Sequence, residues 1–267
     1  MTHKRNELLR LAQLQTRVSR DKAENLARTR EMMEQLRGED VDLVCLGEMF
    51  ACPYETTAFP LYAEPEGGDT WQTLRDLARE HRVFLSAGSV PEIDEAGHIY
   101  NTAYVFDPEG RQIAKHRKMH LFDVDIRGGQ RFKESETLSP GREATVFDTP
   151  FGPMGLCICF DFRFPALARQ MVDRGARLIL VPAAFNMTTG PAHWALLFRA
   201  RAVDNQCYTI GTSVARDPAA SYVAWGHSIV ANPFGRIISE MDEREGIRLT
   251  QLRLPLVEEI RQQLPLL

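Results

Sequence analysis

The segment Met154–Pro165, MGLCICFDFRFP, carries the sharpest chemical signal in the chain. A short apolar run leads into Cys159, then polar Asp161 and Arg163, then Pro165 where a first helical residue would stand. Strand, tight turn and helix is the geometry that exposes a nucleophile at a sheet edge. A helix start just downstream also offers backbone N–H groups to a developing oxyanion. A free thiol has a pKa of about 8.5 and needs a base or a positive neighbour to become a good nucleophile. Two other positions offer such groups. Glu48 follows DLVCLG, at the carboxyl end of a predicted buried strand, where α/β ligand sites gather. Lys118 closes the stretch QIAKHRK. Each has an ordinary reading by itself: buried core for the thiol, solvated surface for the two charges. Together they form a base, a cation and a thiol at the ends of three strands.

Other engines are missing. The sequence holds no G-x-S-x-G elbow, no phosphate-binding loop and no G-x-G-x-x-G. His116 and His120 are four apart, but Lys115, Arg117 and Lys118 surround them, and a cluster of cations repels a metal ion. Histidines engaged in hydrogen bonds near a strand end is the expectation there, with no metal site.

The elements that would position these groups alternate along the chain. Asp42–Leu46 reads as a buried strand, and Val83–Val90 as another closed by Pro91. Tyr100–Asp107 and Gln112–Arg117 flank Pro108-Glu109-Gly110, a hairpin signal. Gly155–Cys159, Leu178–Val181, Tyr208–Ser213, His227–Ala231 and Arg236–Glu240 complete the strands, the last two as a second hairpin. Helical spacing of apolar residues appears after Ser19 up to Gly38, after a capping Asp69, from Pro165 to Gly175, and from Pro191. No repeat or Pro/Ser-rich linker interrupts this, so residues 1–267 read as a single α/β domain with mixed sheets.

Composition bounds the function. With 267 residues the chain can bury a large core without disulfide or metal staples. The 36 acidic against 32 basic residues, net charge -4, speak against a nucleic-acid or anionic-membrane partner. The N-terminal residues are too charged for a signal peptide and no apolar run approaches about 18 residues, so a cytoplasmic location is expected. Five cysteines, an odd number without a CxxC pair, suggest reduced thiols and no zinc site.

The blocks LGEMF, HRKMHLFD with FKESETLSPG, and CICFDFRFP resemble, in order and separation, the three signature blocks of the nitrilase superfamily of carbon–nitrogen hydrolases. AAFNMTTGPAHW, RARAVDNQCY and WGHSIVANPFG extend the resemblance from about Leu11 to the C-terminus. Within that superfamily the likeness is to the omega-amidase group, carried by KMHLFDVDIRGGQRFKESETLSPG, AFNMTTGPAHWALLFRARAVDNQ and SYVAWGHS. The resemblance implies a four-layer αββα sandwich of two mixed sheets flanked by helices, paired into a homodimer. It implies Glu48 as general base, Lys118 as cationic stabiliser, Cys159 as nucleophile and Glu134 as the second glutamate that orients the lysine and the amide. Arg163 matches a position that binds a substrate carboxylate, which suits a guanidinium. The Phe160 N–H is a further oxyanion donor, and Phe185 and Tyr54 are pocket candidates whose ordinary reading is core packing. The implied reaction hydrolyses the terminal amide of 2-oxoglutaramate or 2-oxosuccinamate through a thioester, with no cofactor.

Cys157 departs from the family pattern, which has a small residue two places before the nucleophile. Side chains two apart on a strand share a face, so the two thiols are expected close together. The C-terminal LVEEIRQQLPLL places Leu256, Ile260 and Leu264 on one helical face, for a dimer interface or for its own subunit. Deaminated-glutathione amidase or another small-amide or carbamoyl hydrolase is the alternative enzyme. A catalytically silent interaction module is the alternative outside catalysis.

Overall fold

Runs such as Leu43–Leu46 and Leu178–Ala183 are buried along their whole length, the pattern of strands covered on both faces. The computed structural model describes residues 7–127 and 131–267. The first strands are β1 (Leu8–Gln15), β2 (Leu43–Leu46), β3 (Phe84–Ser86), β4 (Val90–Ile93), β5 (Ile99–Phe106) and β6 (Gln112–Arg117). A small hairpin, β7 (Asp123–Asp125) and β8 (Arg131–Lys133), follows. A second sheet takes β9 (Thr145–Phe147), β10 (Met154–Leu156), β11 (Leu178–Ala183), β12 (Tyr208–Ser213), β13 (Ile229–Ala231) and β14 (Ile237–Glu240) in the spatial order 14-13-12-11-10-9. The last strand, β15 (Gly246–Arg253), returns to the first sheet, whose order is 15-1-2-3-5-4 with β6 also on β5.

Side-chain alternation decides what faces what. Leu11 of β1, Leu43 and Cys45 of β2, and Ala103 and Val105 of β5 pack toward the second sheet. Ala12, Leu14, Val44, Leu46, Tyr104 and Phe106 point the other way. There α1 (Lys22–Gln35) and α3 (Asp69–His81), on either side of the short α2 (Phe59–Tyr62) in sequence, supply Met33, Leu74, Leu77 and Ala78. On the outside of the second sheet α4 (Pro165–Asp173) packs on β10, and α5 (Gly190–Asn205) on β12 and β13. The result is the expected αββα sandwich. Polar side chains also cross between sheets: Gln13 Nε2 donates to Gly211 O at 2.8 Å, and Gln15 Oε1 accepts from Ser228 N–H at 2.9 Å.

Several local expectations change. The run Val83–Val90 is two strands, because Gly88 turns the chain at φ +64° and a Cβ there would stand 2.3 Å from Gly47 O. Pro91 therefore lies inside β4, at the sheet edge, where a missing N–H costs least. Asp69 is the first residue of α3 rather than its cap, which is Gly68. The strand read as Gly155–Cys159 ends at Leu156. Cys159 opens a 3₁₀ turn, Cys159–Arg163, with φ +46°, so the shared-face argument for Cys157 and Cys159 does not apply. β1 and β15 escape the sequence reading. LLRLAQLQ is covered on both faces and buries two glutamines, so it lacks a clean alternation. The C-terminal helix α6 (Leu256–Gln263) packs Leu256 and Val257 onto its own subunit and buries Ile260, whereas Leu264 is exposed. Residues 1–6, part of the segment read as too charged for a signal peptide, lie outside the described residues, as do residues 128–130 of the second signature block.

Candidate active site

Four segments at the ends of strands and turns bring the candidate residues together. Glu48 stands two residues beyond β2, past Gly47, where a Cβ would lie 2.8 Å from the Ser213 carbonyl carbon and the Val214 nitrogen. The backbone at the end of β2 thus runs hard against the end of β12. Lys118 follows β6 directly, its N–H donating to Asn101 O at 2.8 Å and its carbonyl accepting from Gly141 N–H at 2.8 Å. Glu134 opens the 3₁₀ turn after β8 and is fully buried. Cys159 comes from the opposite sheet, in a left-handed conformation that costs a non-glycine residue of order 1–3 kcal/mol and concentrates at functional sites.

Lys118 is completely buried, and its three ammonium hydrogens are all used. Nζ lies 2.8 Å from Glu48 Oε1, 3.0 Å from both oxygens of Glu134 and 3.2 Å from Tyr54 Oη. Glu134 accepts further from Phe122 N–H at 2.6 Å and from the Tyr54 hydroxyl at 2.6 Å. Glu48 Oε1 takes an additional hydrogen bond from Asn101 Nδ2 at 2.8 Å. Glu48 Oε2 is buried and accepts no hydrogen bond among the described residues. That oxygen is the one left to receive a proton.

The charges bias one another. Burial raises the pKa of Glu48, Lys118 pulls it back, and Glu134 adds to the rise; the outcome is a carboxyl above its ordinary range. Burial works against the ammonium of Lys118, but Glu134 and Glu48 outweigh it and hold the lysine charged. Burial and then the Glu48 carboxylate push the Cys159 thiol up, while Lys118 and the Ala184 N–H act the other way. The thiol rests protonated beside the Glu48 carboxyl, a group able to take its proton.

Arg163 closes the same 3₁₀ turn as Cys159. It forms no ion pair among the described residues. Its Nη1 is 2.9 Å from His193 Nδ1, and its guanidinium lies 4.5 Å from the centre of the Phe185 ring and 5.7 Å from that of Phe160. Phe185 is buried edge-on against Trp194; Phe160 is half-buried, against Phe122 and Phe164. Tyr54, a pocket candidate in the sequence, stacks on Tyr222 at 4.4 Å and uses its hydroxyl to join the two glutamates. A cavity of about 200 Å³ reaches Glu48 and Tyr54 from the side of Tyr222, Cys52 and Asp217. Cys159, Arg163 and Phe185 do not line it.

Sequence reasoning misses Asn101 and Tyr222. Tyr222 lay within a recognised block, SYVAWGHS, whereas Asn101 in IYNTAY offers no local signal. His116 and His120 are both hydrogen-bonded to Asp161, at 3.0 and 2.8 Å.

A model of the carbon–nitrogen hydrolase family matches residues 8–262. The omega-amidase NIT2 of Mus musculus is 48% identical over 97% of this chain and 93% of its own length. That of Bos taurus is 49% identical over 96% and 93%. Among solved structures, Saccharomyces cerevisiae Nit3, a member of branch 10 of the nitrilase superfamily, superposes with a TM-score of 0.90. It is 41% identical, over 97% of this chain and 95% of that one.

Proposed function

The chain belongs to the carbon–nitrogen hydrolase family, and we propose that within it this protein is an omega-amidase. It removes ammonia from the terminal amide of 2-oxoglutaramate or 2-oxosuccinamate. The observation that carries this reading is that one 3₁₀ turn holds both a thiol facing a buried carboxyl and, four residues on, a guanidinium that no carboxylate claims among the described residues. The first is suited to attack an amide. The second is suited to hold the free carboxylate of the same small molecule by paired hydrogen bonds.

In the proposed mechanism, Glu48 takes the Cys159 proton as the sulfur attacks the amide carbon. The carbonyl oxygen becomes an oxyanion, stabilised by the Lys118 ammonium and the Phe160 N–H. Glu48 gives the proton to the amide nitrogen, the C–N bond breaks, and ammonia leaves a thioester on Cys159. A water then loses a proton to Glu48 and attacks the thioester. Collapse returns that proton to the sulfur and releases the 2-oxo acid. Glu134 and Tyr54 keep Lys118 aimed.

We assign the protein to the cytoplasm, a reading supported by five unpaired cysteines, all buried. No described helix is long and apolar enough to cross a membrane. A homodimer is supported by the exposed apolar residues Leu196 and Val203 of α5 and by exposed Phe234, whose turn lies against Val203 at Gly235.

The deciding experiment is ammonia release from 2-oxoglutaramate by the protein and by Cys159→Ala, with deaminated glutathione as the competing substrate. Release that disappears in the variant, and is faster on 2-oxoglutaramate, is expected. Release unchanged in Cys159→Ala would remove the thiol mechanism. Preference for deaminated glutathione would move the protein to that neighbouring activity, and no release from either would favour a silent binding module.

A further inference from the structure

Asp161 is fully buried and takes no part in the reaction steps above. Its two oxygens serve two different strand ends. Oδ1 accepts from Met119 N–H at 3.1 Å, His120 N–H at 2.8 Å and His120 Nδ1 at 2.8 Å. Oδ2 accepts from Ile158 N–H at 3.1 Å and His116 Nε2 at 3.0 Å. Met119 and His120 are the residues that follow Lys118, and Ile158 is the residue that precedes Cys159. The Asp161 N–H in turn donates to Ile158 O at 2.9 Å, closing the turn on itself. The histidines are anchored elsewhere: His116 Nδ1 is 3.0 Å from Thr145 Oγ1 of β9, and the His120 ring stacks on Phe164 at 3.6 Å.

Resting on the amidase reading, we propose that Asp161 is the positioning residue of this site. Its carboxylate holds the Lys118 segment of one sheet to the Cys159 turn of the other and so fixes the ammonium relative to the sulfur. Five donors converge on one buried charge, and hydrogen bonds to an ionised acceptor are about twice as strong as neutral ones. Burial alone would raise this carboxyl; the two histidines and the Ile158 N–H overcome it and keep it well below the usual carboxylate range. A left-handed cysteine persists only where its surroundings over-determine it. The tie at Ile158 and the closure at Asp161 are what do so here. A misplacement of about 1 Å in such a constellation costs on the order of 100-fold in rate.

The test compares wild type with Asp161→Asn in ammonia release and in alkylation of Cys159 by iodoacetamide at one near-neutral pH. The amide keeps one acceptor but turns an NH₂ toward N–H groups. We expect kcat to fall by about 100-fold with KM little changed, and alkylation to slow by about tenfold, with an unchanged circular dichroism spectrum. A folded Asp161→Asn with wild-type kcat and alkylation rate would overturn the proposal. If that variant does not fold, His116→Gln and His116→Leu decide. Gln places an N–H near the position of Nε2 and Leu cannot, so kcat should be at least about tenfold higher in the former. Equal rates in the two would also overturn the proposal. Wild-type protein that alkylates at Cys159, slows with Asp161→Asn, yet hydrolyses no amide would leave the positioning role standing and remove the amidase reading.

Discussion

Among the described residues Arg163 has no carboxylate partner. Burial disfavours its charge, and the nearest polar partner is His193, so a substrate carboxylate has an open claim on it. Arg163→Ala should therefore raise KM by roughly 10–100-fold, the loss of a charged hydrogen-bonded pair, with a smaller effect on kcat. A proportional fall in kcat at constant KM, measured by steady-state ammonia release, would place Arg163 outside substrate binding. Glu48 gives the pH dependence. It must be ionised to accept the thiol proton, and burial, reinforced by Glu134 against the pull of Lys118, has raised its pKa. Activity is thus present above the pKa of Glu48 and lost as pH falls through it. The acid limb of kcat/KM should lie above the ordinary glutamate value of about 4.3. A profile flat through the range above that value would contradict Glu48 as the base.

At the scale of elements, the site depends on how closely β2 and β12 approach. Gly47 permits it, since a Cβ would meet backbone atoms of Ser213 and Val214 at 2.8 Å, and backbone cannot rotate away. Gly47→Ala should cost about 1–3 kcal/mol of stability, as overpacking usually does. Because Glu48 is the next residue, kcat should fall more than the loss of folded protein explains. Thermal unfolding together with kcat per folded molecule checks this; a destabilised variant with full kcat would show that Glu48 is held by its hydrogen bonds alone. The turn at Cys159 makes the same point from the other sheet. The motif CICFDFRFP announces a strand, a turn and a helix, and α4 does begin at Pro165. That the strand stops at Leu156, and that Cys159 sits at φ +46°, follows from the pairing of β10 with β9 and β11 and from the hold of Asp161 on Ile158.

For the whole molecule, the outer face of α5 is the surface to test. Leu196 and Val203 lie seven residues apart on one side of that helix, and Val203 abuts the turn that carries Phe234. All three are exposed. A stable dimer buries about 800 Å² per partner, with an apolar centre. Sedimentation velocity should give a dimer for the wild type and a monomer for the double variant Leu196→Glu, Phe234→Glu. Ammonia release per chain should persist, because neither residue touches Glu48, Lys118 or Cys159. A wild type that sediments as a monomer, or a double variant that stays dimeric, would exclude this face as the interface.

Residue identity and short-range spacing carried much of the answer in the sequence alone. Glu134 and the roles of the site residues came only from the resemblance to the family. The apolar runs located the central strands, Pro and Gly located the helix ends, and residue types marked a carboxylate, a cation and a thiol at strand ends. These are local quantities, fixed by period, turn chemistry and side-chain type. Tertiary structure decided what depends on distance across the chain. It paired β1 with β15, more than 200 residues apart, and split the run at Gly88 because Gly47 O lies against it. It made the Tyr54 hydroxyl a link between two carboxylates, brought Asn101 to Glu48, and set Arg163 beside His193. It also gave Asp161 to the two histidines and the backbone on either side of the site. A side chain's partner is set by which elements the two sheets bring to one edge, and no spacing within a single segment encodes that.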